Sequence, residues 1–174
     1  VRQAVEVVED HRFRRHHGID LIGTARALTV NLRSGGFVQG GSTITQQLAK
    51  NLYGTGERTL RRKALEAVAA LALELHYDKD AILEAYLNEV YLGQLGSFSI
   101  NGVGQAARLY FSKDVGNLTL GEAALLAGMI QSPNRYHPNR HAKRAKERRD
   151  LVLGAMVDAG FVDSAAAQAA SAQP

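Results

Sequence analysis

A mainly α fold is predicted for this chain of 174 residues on three observations. The only prolines are Pro133, Pro138 and Pro174, so the first 132 residues lack the residue that helix interiors tolerate least. Apolar residues recur at helical spacing through most of the chain. The alternating runs that make strands are nearly missing. About eight helices are expected.

The elements follow in order. Val1, Ala4, Val5 and Val8 make an apolar stripe from the first residue, so the chain is expected to begin inside a helix and to be a piece of something longer. Leu21, Ala25, Leu28 and Leu32 share one helical face, and Ile44, Leu48 and Leu52 another. Leu60, Ala64, Leu65, Val68, Leu71, Ala72 and Leu75 form a longer stripe. Thr43 with Gln46, and Thr119 with Glu122, have capping-box spacing, and Asp78 stands where a cap would start a helix from Lys79 to Tyr91. Two glycine-rich stretches, 34–41 and 93–104, are expected as loops; the first could be a flap over an anion site, since it leads into a helix start. The Ala-rich tail after Ser164 is expected to be a frayed last helix.

Composition bounds the function. Hydrophobic residues are 45% and charged residues 22%, an ordinary globular balance. There are 21 Lys and Arg against 17 Asp and Glu, a net charge of +4, which suits nucleic acid, a membrane surface or a phosphorylated substrate. No cysteine is present, which excludes a disulfide scaffold, a thiolate metal site and a cysteine nucleophile. Without tryptophan, and with aromatics at 6%, a stacking platform would be thin. No apolar run reaches the roughly 18 residues that cross a bilayer; the longest, Ala67 to Leu73, is closed by Glu66 and Glu74.

Five clusters could carry chemistry. In the first, Glu9 and Asp10 precede Phe13, His16 and Gly18 among arginines and histidines. On a helix Glu9 and Phe13 would share a face, and a carboxylate against an aromatic at a helix end is a usable general acid or base. The plain alternative is a charged helix end. No histidine spacing matches a metal-ligand set. The second cluster runs from Gly40 and Gly41 through Ser42, Thr43 and Gln47 to Lys50 and Asn51. Hydroxyls and free N–H groups at a helix start suit a phosphate or pyrophosphate. Thr43, Gln47 and Lys50 line one helical face, or the whole is an ordinary cap. In the third, Arg62 and Lys63 stand four and three residues before Glu66, either as helix salt bridges or as a cationic grip on phosphate. The fourth, Ile82 to Asn88, is assigned mainly to packing. The fifth leads through Ser132, Pro133 and Arg140 into a basic helix; residues 133–150 hold seven Lys and Arg against two Asp and Glu, expected as a solvated face near a membrane or polyanion.

In this order the five clusters resemble the peptidoglycan glycosyltransferase domain, glycosyltransferase family 51, of class A penicillin-binding proteins or monofunctional glycosyltransferases. The resemblance covers about residues 1–160. Its Glu-Asp-x-x-Phe-x-x-His-x-Gly falls on Glu9, Asp10, Phe13, His16 and Gly18; its Gly-Gly-Ser-Thr-Ile-Thr-Gln-Gln on Gly40 to Gln47; its Arg-Lys-x-x-Glu on Arg62, Lys63 and Glu66. Ile82 to Asn88 and Ser132 to Arg140 supply the remaining motifs. Two departures are Arg14, where many members carry an aromatic, and the form of Gly96 to Gly102.

The resemblance implies a lysozyme-like helical fold with a large lobe and a smaller membrane-facing lobe. It implies polymerisation of lipid II into β-1,4-linked glycan with inversion, the donor strand carried on undecaprenyl pyrophosphate, and inhibition by moenomycin. Glu9 is then the general base. Lys50, Arg62 and Lys63, with Ser42, Thr43, Gln47 and Asn51, face the leaving pyrophosphate; Glu66 orders the cations; Arg140 is a further phosphate contact. Asp10, Phe13, His16, Gly18 and Gly41 shape the pocket. No cofactor is obligatory, although Glu66 could hold Mg²⁺ or Mn²⁺. Expected partners are lipid II, the growing strand, the bacterial membrane surface and cell-wall synthesis proteins, and no nucleic acid. The expected location is the outer face of the bacterial cytoplasmic membrane. The whole chain, 1–174, is expected to be one such domain with its first helix truncated, its anchor and any transpeptidase domain lying elsewhere. The competing readings are a lytic transglycosylase or lysozyme, a basic helical polyanion-binding module, and a catalytically dead scaffold.

Overall fold

Side-chain caps start the helices much where the sequence expects them. In the computed structural model, which describes residues 1–36, 40–53 and 59–173, nine α-helices and one hairpin are present among the described residues. They run α1 (Arg2–Glu9), α2 (Leu21–Ser34), α3 (Ile44–Tyr53), α4 (Leu60–His76), α5 (Lys79–Glu89), β1 (Tyr91–Leu95), β2 (Phe98–Asn101), α6 (Val103–Phe111), α7 (Leu120–Ile130), α8 (Ala142–Asp158) and α9 (Ser164–Ala172). Short 3-10 turns cover Phe13–Arg15 and Val115–Asn117. Both capping boxes form: Thr43 and Gln46 exchange their hydrogen bonds at 3.1 Å, and Thr119 and Glu122 do the same ahead of α7. Asp78 accepts from the Ala81 N–H at 2.8 Å and starts α5, which ends at Glu89 because Tyr91 enters a strand.

That strand is one departure from expectation. Residues expected as a loop form the antiparallel pair β1–β2, with Gly93 opposite Ile100 and Leu95 opposite Phe98. A register irregularity between Tyr91 and Gly93 hides the alternation. Gly93 has φ +128, and a Cβ there would lie 2.6 Å from the Tyr110 hydroxyl. Of the other glycine-rich stretch, residues 37–39 lie outside the described residues, and so does its expected role as a flap.

The chain divides into two compact units: Val1–Val8 with Leu87–Pro174, and Glu9–Tyr86. In the first, α7 is apolar nearly all round and buries Ala123, Ala124, Leu126, Ala127 and Met129, as a central helix must. Helices α8 and α9 pack on it. The basic helix α8 is therefore not simply a solvated face. Arg149 is buried, and its guanidinium donates to the carbonyls of Ser171 (2.8 Å) and Gln173 (3.0 Å). Those bonds and the Asp163 cap hold α9, whose Ala167 and Ala170 are buried. The last helix is capped at its start and anchored through Ala167 and Ala170, not frayed.

In the second unit α3 packs on α4. Ile44, Leu48, Ala49, Ala70, Phe13, Ile82, Leu83 and Tyr86 are buried there. The two long leucine stripes face outward instead. On α2, Leu21, Ile22, Leu28 and Leu32 are exposed and Ala27 alone is buried; on α4, Leu60 is 90% and Leu75 83% exposed, with Leu65, Val68 and Leu71 also open. Periodicity identified the helices, but small residues, Ala27 and Ala70, make their inward contacts. A cavity of about 690 Å³ lies along α3 and α4, lined by Tyr53, Leu65, Val68, Leu73 and Tyr77 together with Arg62 and Glu66.

Gly18 lets the loop before α2 lie against α4. Its φ is +80, and a Cβ would meet the Ala70 carbonyl oxygen at 2.9 Å, a backbone atom that cannot swing away. Gly18→Val is expected to cost about 2 kcal/mol or more, read as a lowered urea midpoint; an unchanged midpoint would contradict this account.

Candidate active site

The site is built within Glu9–Tyr86 from two adjacent carboxylates held at two points on one helix. Asp10 is buried and accepts the N–H of Ile44, the first residue of α3, at 3.0 Å. His16 Nε2 lies 2.9 Å from the same Asp10 oxygen. One turn further along α3, Gln47 Nε2 donates to Glu9 Oε2 at 3.0 Å. The Tyr86 hydroxyl in turn donates to Gln47 Oε1 at 2.9 Å. Tyr86 is fully buried, and burial, reinforced by the negative charges of Glu9 and Asp10, holds its pKa well above the ordinary tyrosine value. It therefore stays protonated and remains a donor.

Glu9 and Phe13 do not share a helix as expected. α1 ends at Glu9, the chain turns, and Phe13 opens the 3-10 turn. Phe13 is buried edge-on to His16 at 6.2 Å, with the Lys79 ammonium 4.4 Å over its ring. Lys79 also donates to Glu74 at 2.6 Å, and Glu74 accepts from the Thr45 hydroxyl at 2.6 Å. Arg14, the departure from the family pattern, pairs with Asp80 in the first turn of α5 at 2.9 Å.

The cationic set stands at the other side of the α3 start. Glu66 is buried; Arg62 Nε lies 2.9 Å from its Oε1 and Lys63 Nζ 3.1 Å from its Oε2. Lys63 Nζ also donates to Ser42 Oγ at 2.8 Å. The Arg62 contact is an ion pair without hydrogen-bond alignment, leaving the buried Nε–H and Glu66 Oε1 without a hydrogen-bond partner. The Lys63 ammonium is half exposed, and it is the cation of this pair open to an arriving anion. Only four residues of chain lie between Ser42, which touches Lys63, and Gln47, which touches Glu9.

Other expected residues fall into place unequally. The Thr43 hydroxyl donates to the Gly18 carbonyl at 2.6 Å and accepts from Gln46, so it is committed to the framework. Gly41 lies on α2: its carbonyl accepts from Thr24, and a Cβ would sit 3.3 Å from the Thr24 Cα. Lys50 and Asn51 are exposed towards the end of α3. Arg140 belongs to the other unit and is exposed. Near it His137 is buried, and burial together with the charges of Arg140 and His141 lowers its pKa, keeping it neutral at physiological pH.

Comparison with known proteins decides the assignment. The transglycosylase family matches residues 1–157. The chain belongs to the transglycosylase family. It is 49% identical over 171 residues to penicillin-binding protein 1B of Vibrio cholerae serotype O1, a match covering 98% of this chain and 22% of that protein. It is 50% identical over 162 residues to penicillin-binding protein 1A of Aquifex aeolicus, covering 93% and 22%. A crystal structure of penicillin-binding protein 1A from Haemophilus influenzae is similar at a TM-score of 0.48 and 28% identity, over 75% of this chain and 16% of that one. The chain thus spans about a fifth of the length of the curated relatives it matches. It is a glycosyltransferase domain of the kind that class A penicillin-binding proteins carry.

For this transglycosylase domain, a divalent ion at Glu66 does not fit the residues present. Both Glu66 oxygens face cations, and among the described residues no group of three or more His, Cys, Asp and Glu could hold a metal. Two residues of the site give no signal of their role in the sequence, Tyr86 and Glu74. Tyr86 was assigned to packing, which its ring does, but its hydroxyl joins the site. Glu74 stood out only as the end of an apolar run, whereas it joins α3 to Lys79.

Proposed function

We propose that this domain polymerises lipid II into β-1,4 glycan, with Glu9 as general base and Arg62 and Lys63 stabilising the pyrophosphate that leaves. The observation that carries the reading is the start of α3, which links a hydrogen-bonded carboxylate through Gln47 to Lys63 of the cationic pair through Ser42. As the acceptor 4-hydroxyl attacks the donor C1 from the face opposite the pyrophosphate, its proton passes to the Glu9 carboxylate. The C1–O bond to pyrophosphate breaks with inversion, and negative charge collects on the departing oxygens. Arg62, Lys63 and the exposed Lys50 supply fixed positive charge for it. Asp10, held by His16 and the Ile44 N–H, and the buried Phe13 shape the surroundings of Glu9 without entering the reaction in this reading.

The exposed leucines along α2 and along α4 support a membrane-facing role for the Glu9–Tyr86 unit, since apolar helix faces left open to solvent suit a lipid interface. Among the described residues no helix is long and apolar enough to cross a membrane. The reading puts the domain on the outer face of the bacterial cytoplasmic membrane, with lipid II and the growing strand as partners. Lipid II and finished glycan, supplied separately, test it: chain growth from lipid II is expected. Shortening of the glycan with no growth would favour a lytic enzyme and overturn the proposal.

A further inference from the structure

We infer that Gln47 and Tyr86 are positioning residues for Glu9, acting as one relay in which the Tyr86 hydroxyl fixes the orientation of the Gln47 amide and the amide fixes the Glu9 carboxylate. A glutamine side chain can present either its carbonyl or its NH₂ to a neighbour. A carbonyl turned towards Glu9 would set two acceptors against each other. The Tyr86 hydroxyl removes that choice by donating to Gln47 Oε1 at 2.9 Å, which leaves Nε2 directed at Glu9 Oε2 at 3.0 Å. Tyr86 itself has no room to wander. It is fully buried, and its neighbours on α5, Ile82 and Leu83, are buried with it.

The burial explains why a tyrosine is needed. A phenylalanine would fill the same core volume, but it would leave the Gln47 carbonyl without its donor. The relay also works with the neighbouring clamp. Asp10 is pinned to the Ile44 N–H one turn earlier on α3. Glu9, the last residue of α1, and Asp10, which follows it, are thus fixed to successive turns of one helix, which restricts rotation of the Glu9 side chain towards or away from its substrate. Gln47 acts on the base in this account, not on the pyrophosphate.

The inference takes Glu9 as the base from the reading above, and its test separates the two. Tyr86→Phe, Gln47→Ala and the double variant are compared in lipid II polymerisation. Each single variant is expected to lose about tenfold in kcat with KM within about twofold, because geometry is lost and binding is kept. The double variant is expected to be no worse than Gln47→Ala, since the residues act in series. The second readout needs no turnover. The side-chain ¹⁵N–¹H₂ signals of Gln47, assigned by their absence in Gln47→Ala, are expected to move in both Tyr86→Phe and Glu9→Gln. Wild-type kcat in a folded Tyr86→Phe, full additivity in the double variant, or Gln47 signals indifferent to Glu9→Gln would each overturn the relay. If Tyr86→Phe fails to fold, the Glu9→Gln spectrum and Gln47→Ala kinetics still decide. If the wild-type protein does not polymerise lipid II, the proposed function falls and the Gln47 signals alone judge the relay.

Discussion

Glu9→Gln is expected to lose polymerisation by about 10²–10⁴-fold while lipid II still binds. The substitution keeps the size and shape of the side chain and removes its charge and its capacity to take a proton. A glutamine at this position has the volume of glutamate, and its carbonyl can still accept from Gln47 Nε2, which now lies 3.0 Å from the carboxylate. The variant is expected to remain folded, checked by its melting curve. Rate and binding are read in one experiment by measuring initial polymerisation rates and, separately, lipid II retention. Retained turnover in the folded variant would remove Glu9 from the role of base. Loss of binding together with rate would make it a substrate contact instead.

Arg62→Ala and Lys63→Ala form the second large expectation. Each should reduce kcat by about 10²–10³-fold, the usual loss when one fixed positive donor is taken from a developing negative charge. The competing account treats Arg62, Lys63 and Glu66 as helix ion pairs worth a few tenths of a kcal/mol. The geometry separates the two. Lys63 is half exposed and divides its ammonium between Glu66 and Ser42. Either variant leaves Glu66 one cation, so a large rate loss with a small change in melting identifies a role in the reaction. Unchanged rates would return the cluster to ordinary surface electrostatics.

The fold was legible where local chemistry decides it. Thr43, Asp78 and Thr119 each cap the helix that their spacing announced, because a cap is a contact over three residues and needs no tertiary information. The direction in which helices face was not legible. Leu60 to Leu75 reads as a core stripe, yet the buried side of α4 is made by Glu66 and Ala70, a choice that depends on what packs against it. The hairpin was hidden by Gly93, whose bulge breaks the alternation that marks a strand. Within the site, the Arg62–Glu66 and Lys63–Glu66 pairs followed from helical spacing alone. Tyr86 reaching Gln47, 39 residues earlier, did not. Pairings of that kind arise only when α3 and α5 are brought together, and a tyrosine in an apolar motif gives no sign of what its hydroxyl will meet.

If the outward leucines of α2 and α4 seat the domain on a bilayer, as proposed above, a kinetic consequence follows. A catalyst seated on a bilayer through such residues meets a lipid-linked substrate by lateral diffusion in two dimensions. Its velocity then follows the mole fraction of substrate in the surface, not the amount in the tube. Adding inert phospholipid at constant lipid II would slow the reaction by surface dilution. Charging one leucine of α4 would instead reduce the fraction of enzyme on the surface and leave the turnover of each seated molecule unchanged.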